Sequence, residues 1–70
     1  MPFVNIKIAR EAVGENAEAK KAKMARRVVD AMHEETGISK TSFWVVFEEI
    51  AGKDWYVGEE SVEAILKRRK

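Results

Sequence analysis

Seventy residues with 13 Lys and Arg against 12 Asp and Glu, a formal net charge of +1, make one domain with no electrostatic bias toward phosphate backbones or anionic membranes. Cysteine is absent and histidine occurs once, which excludes disulfides, thiolate metal sites and a histidine-based metal cluster. A domain this small buries only about 60% of the surface its unfolded chain exposes, yet 46% of the residues are hydrophobic; oligomerisation is the staple left, and a homo-oligomer is expected.

No apolar run approaches the ~20 residues of a membrane span, and no signal-peptide core follows the start. The expected setting is cytoplasmic, with neither a membrane nor a nucleic acid as partner. Residues 1–70 read as a single domain without internal repeat or linker.

The chain opens with a run that alternates with period two. Val4, Ile6 and Ile8 fall on one face and Phe3, Asn5 and Lys7 on the other, as a half-buried strand requires. Lys7 reads as an interface residue that buries its stem and keeps its charge wet. Residues 11–15 lapse into a loop containing Gly14. Asn16 then stands where an N-cap belongs, and Ala17 to Thr36 is rich in good helix formers. Met24, Ala25, Val28, Val29 and Met32 recur at three- and four-residue steps and form one apolar stripe, with Lys20, Lys23, Arg27, Asp30 and Glu34 off it. Gly37 ends the helix as its C′ residue. Lys20, Lys21, Lys23, Arg26 and Arg27 spread around the helix and read as a solvated face. His33 lacks the second histidine of a zinc helix motif and reads as a helix-surface residue.

A polar stretch, Ser39-Lys40-Thr41-Ser42, gives way to Phe43-Trp44-Val45-Val46-Phe47, apolar on both faces and ending at Glu48 and Glu49. Strand, long helix and strand make a βαβ unit with two parallel strands and a crossover helix, an α/β (α+β) fold. One helix covers one face of a two-stranded sheet, so the other face requires another subunit. Ala51-Gly52-Lys53-Asp54 is turn chemistry, and Trp55-Tyr56-Val57-Gly58 suits a short C-terminal hairpin arm. Ser61 to Leu66 offers Val62, Ile65 and Leu66 at helical or extended spacing, before a basic end, Lys67-Arg68-Arg69-Lys70, expected to be a frayed, solvated terminus.

Pro2 is the chemically unusual residue. If Met1 is removed, its ring nitrogen is a secondary amine rather than an amide and can take a proton; otherwise Pro2 merely begins a strand where no ladder bond is lost. An α-amino group ionises near ~8, so about a tenth is free base at pH 7. Desolvation and nearby cations lower that value, but the population gain is below about tenfold, and most of the ~10²–10⁴ expected of general acid–base catalysis comes from positioning.

The Met-Pro start, the Pro-Phe-Val-Asn-Ile-Lys-Ile strand, the long helix, Thr41, Ser42, Val45, Val46 and Glu49 on the second strand, and Trp55 with Gly58 together resemble the 4-oxalocrotonate tautomerase family over nearly the whole chain. That resemblance implies a tautomerase-like fold, assembly as a homohexamer built as a trimer of dimers, and a cofactor-free, metal-free enzyme whose amino-terminal proline is the general base on an unsaturated 2-oxo acid. It also implies two arginines that bind carboxylate and polarise the 2-oxo group. Here the sequence departs: Trp44 stands at the second-strand position, the first-arginine position falls near Glu15, and Arg10 is the arginine left nearby. A monocarboxylate or an aromatic enol thus fits better than a dicarboxylate.

The expected site comprises Pro2 as catalytic base and Arg10, Trp55 and Trp44 as substrate-binding residues. Each has a plainer reading: Arg10 as a solvated strand end, Trp55 as intersubunit packing, Trp44 as core or interface. The expected function is enol–keto isomerisation of a 2-oxo acid or related carbonyl compound. The alternative is a non-catalytic oligomeric binding module on the same scaffold; a third reading, single-stranded nucleic-acid binding, would use the tryptophans as stacking surfaces.

Overall fold

The computed structural model describes residues 2–69. β1 (Phe3–Ala9) runs into a single helical turn, α1 (Arg10–Val13), and then into the long α2 (Ala17–Thr36). β2 (Trp44–Ile50) returns parallel to β1, from Phe3 opposite Trp44 to Ala9 opposite Ile50. A two-residue hairpin follows, β3 (Tyr56–Val57) antiparallel to β4 (Glu60–Ser61), and α3 (Val62–Arg68) closes the chain. The parallel βαβ unit and the hairpin arm are as the sequence pattern predicts.

The alternation of β1 governs the packing. Val4, Ile6 and Ile8, with Val45 and Phe47 of β2, are half-buried on the helix side, and the α2 stripe Met24, Ala25, Val28, Val29 and Met32 is half-buried in turn. The opposite face is open: Phe3 is 60% exposed, Trp44 54% and Val46 36%. Its other half is polar, for Lys7 pairs with Glu48 at 2.9 Å and the Asn5 amide donates to the same carboxylate oxygen at 2.7 Å. Lys7, with the Asn5 amide beside it, holds the Glu48 carboxyl below its ordinary range. Lys7 thus anchors an ion pair on the open face. Among the described residues only Ala9 and Val13 are buried hydrophobic residues.

Two local readings, for residues 10–13 and for the basic end, change, and those of Asn16 and His33 gain detail. Residues 10–13 form a helical turn rather than open loop, because Val13 is buried beneath it. Asn16 occupies the N-cap position of α2 in the left-handed region (φ 58°) without a side-chain cap bond, and its carbonyl accepts from Lys20 N–H at 3.0 Å. His33 is half-buried and its Nδ1 lies 2.7 Å from the Ile38 carbonyl, so the imidazole donates across the helix end at Gly37 (φ 76°) rather than standing free on the surface. The basic end is helical through Arg68, capped by the Ser61 hydroxyl accepting from Ala64 N–H and tied by an Arg68–Glu60 ion pair; Lys70 lies outside the described residues. No helix among the described residues is long and apolar enough to cross a membrane.

Candidate active site

Pro2 sits half-buried immediately before β1, and its carbonyl accepts the Trp44 N–H at 3.0 Å. That bond continues the β1–β2 ladder one step past the strand. Proline has no N–H to lose at such a position, so the backbone is held from the carbonyl side while the ring nitrogen takes no part in the sheet. Phe3 stands opposite Trp44 in the register, and both rings are exposed. Met1 lies outside the described residues.

Arg10 and Trp55 lie at the other end. Arg10 opens α1, and its Nε is 3.7 Å from Glu49, a carboxylate also engaged by Lys21. Trp55 is half-buried at the close of a 3₁₀ turn, Gly52–Asp54. Its N–H donates to the Gly52 carbonyl at 3.3 Å and its own carbonyl accepts from Val62 N–H at 2.7 Å. The two elements are joined, since the Glu11 carboxylate accepts the Gly52 N–H at 2.8 Å. Its own backbone N–H and that of Gly52 hold Glu11 below the ordinary carboxylate range.

Of the four expected site residues, one chain therefore brings Pro2 together with Trp44, and Arg10 into the same joined unit as Trp55. Eight residue steps along the extended strand separate the two pairs, roughly 26 Å at ~3.3 Å each. Glu11 escaped the sequence reading because its partner is 41 positions away. No group of three or more His, Cys, Asp or Glu side chains able to hold a metal ion occurs among the described residues.

Fold and site thus define a small βαβ chain with a proline at the mouth of its first strand and a separate arginine–tryptophan unit at its far end. No curated protein matches the chain, but the family model described as Tautomerase enzyme matches residues 2–65. The chain belongs to the tautomerase family. Among similar solved structures is the crystal structure of DmpI from Helicobacter pylori, 32% identical with a TM-score of 0.79, covering 99% of this chain and 98% of that one. A structure from work on the 4-oxalocrotonate tautomerase isozymes of Methylibium petroleiphilum is 28% identical with a TM-score of 0.72, over 91% of this chain and 97% of that one. Apo unfused 4-OT, at 20% identity and a TM-score of 0.73 over 87% of this chain and 98% of that one, shares the fold. Tautomerase activity in general accords with this membership.

Proposed function

We propose that the protein is a cofactor-independent tautomerase in which Pro2, freed by removal of Met1, is the general base on a 2-oxo acid or related carbonyl compound. The ring nitrogen accepts the proton of the enol hydroxyl as the carbonyl forms, and returns it to the neighbouring carbon; nothing is oxidised or reduced. The observation that carries this reading is the Trp44 N–H bond to the Pro2 carbonyl. It fixes the residue bearing the base against the sheet while sparing the base itself, and positioning is the larger part of general-base catalysis.

A complete site on this reading is shared between subunits. Arg10 and Trp55 are too far along β1 to serve the Pro2 of their own chain, and in a homo-oligomer, a hexamer by family resemblance, they serve another. Arg10 would hold one carboxylate and the tryptophans would wall the substrate body, which favours a monocarboxylate or an aromatic enol. A cytoplasmic setting belongs to the same reading.

The test is the intact mass of natively expressed protein before and after exposure to a halogenated 2-oxo acid, with the adduct mapped. Loss of Met1 and a single adduct on the Pro2 nitrogen are expected. Retained Met1, or a free Pro2 that stays unlabelled while lysines react, would sink the catalytic reading. One observation favours the second reading, a non-catalytic oligomeric binding module: the Arg10 guanidinium already faces Glu49. An intact oligomer without turnover on a panel of enols would select it.

A further inference from the structure

Between α1 and α2 lies a cavity of about 300 Å³, floored by Ile8, Val13 and Met24 and rimmed by Lys20, Lys23 and Arg27. That volume is at the lower end of the range for small-molecule sites, and an apolar floor with a few convergent polar groups is their usual composition.

The rim is a concentration of uncompensated positive charge. Lys23 and Arg27 make no ion pair among the described residues. Lys20 donates to the Val13 carbonyl at 2.7 Å, which pins its ammonium at the cavity mouth and leaves its other N–H groups for a ligand. Asp30, the carboxylate one turn from Arg27, is taken by Lys40 at 3.0 Å. Like charges at three- and four-residue helical spacing repel by a few tenths of a kcal/mol per pair, and a bound anion would reverse that term. The cavity is on the helix side of the sheet, so covering the Phe3, Trp44 and Val46 face with another subunit would leave it open.

We infer that this cavity is a second ligand site, separate from the Pro2 of its own chain, for a small carboxylate with an aromatic or branched hydrocarbon body. The carboxylate is held by the planar fork of Arg27 and by the lysine ammoniums, and the hydrocarbon displaces water from Ile8, Val13 and Met24. Inorganic phosphate would satisfy the rim but leave the floor wet. In its own chain the floor is distant from the amine: Ile8 is six extended residues from Pro2, roughly 20 Å. The inference does not depend on Pro2 being reactive.

The probe is 3-phenylpropionate, which has no 2-oxo group or enol to be processed, titrated into the intact assembly while the methyl resonances of Ile8, Val13 and Met24 are followed. Saturable shifts at those methyls are expected. Binding should weaken about tenfold in a Lys23→Gln/Arg27→Gln variant, whose positions are exposed and whose fold is checked by circular dichroism and assembly size. Arg27→Lys, which keeps the charge and loses the fork, should fall between. Pro2→Ala should bind as the parent does, and phosphate should compete poorly. Absence of saturation, equal affinity in the double variant, or competition by phosphate at equal strength would overturn the inference. Loss of binding in Pro2→Ala would do so too, by assigning the carboxylate to the proline.

Discussion

The Glu11 carboxylate accepts the backbone N–H of Gly52 at 2.8 Å and so fastens the turn after β1 to the turn after β2. Both turns carry an expected substrate-binding residue, Arg10 immediately before Glu11 and Trp55 shortly after Gly52. That charge-assisted hydrogen bond, together with the Ala9–Ile50 pairing at the end of the two strands, sets their relative placement.

That bond gives stability a defined dependence on pH. The folded-state pKa of Glu11 is depressed relative to its unfolded value. Its contribution is therefore fully present above the unfolded value, near ~4.3, and is lost as pH falls through the lower folded value. Glu11→Gln keeps an acceptor and removes the charge. Thermal melts from pH 7 down to pH 3 should show the variant less stable by a few degrees at neutral pH, with the gap closing at the acid end. A gap independent of pH would mean that the charge of Glu11 is not what holds Gly52.

Gly52 is buried, and a Cβ there would lie 2.9 Å from the Glu63 backbone nitrogen and 3.0 Å from Glu11 Oε1. The first contact is with backbone at the start of α3 and cannot swing away. Gly52→Ala should cost about 1–3 kcal/mol, typical of overpacking, and should raise amide exchange in α3 before it does so in α2. Unchanged chemical denaturation would show that α3 yields freely.

Trp44 is more than half exposed on the open sheet face. Aromatic side chains at the centre of an interface commonly carry 2 kcal/mol or more each, roughly thirtyfold in affinity. Trp44→Lys should accordingly shift the assembly toward smaller species by at least about tenfold in dissociation constant, read by sedimentation at several concentrations. An unaltered distribution would move the interface elsewhere.

Arg10 is exposed, and its contact with Glu49 is long; a surface pair of that kind contributes about 0–1 kcal/mol. Arg10→Ala should leave stability nearly unchanged and raise KM for a carboxylate substrate about threefold to tenfold, with a smaller change in kcat. An unchanged KM would show that another cation receives the carboxylate.

The elements written in short-range pattern were legible in the sequence. The period-two run of β1, the α2 stripe and Gly37 each signal their own structure, and the parallel pairing follows from a strand, a long helix and a strand. The single turn α1 was not legible, because it has no capping side chain and is held by burial of Val13 and by a residue far along the chain. The helical form of α3 could have been found from Ser61 placed three residues before Ala64, the spacing of an N-cap bond. For the site, the role proposed for Pro2 rests on residue type and position. The separation of Pro2 from Arg10 needed the strand length, and the Glu49 contact needed the register that sets Ile8 opposite Glu49. Lys20, Lys23 and Arg27 read as solvated because a helix pattern reveals nothing of a floor built from another segment.

Ala9 and Val13, the only buried hydrophobic side chains among the described residues, are a small interior for a chain to fold around. On the oligomeric reading proposed above, dilution would act as a denaturant: the melting temperature should climb with protein concentration, and a newly made chain would gain its full stability only after meeting its fellows.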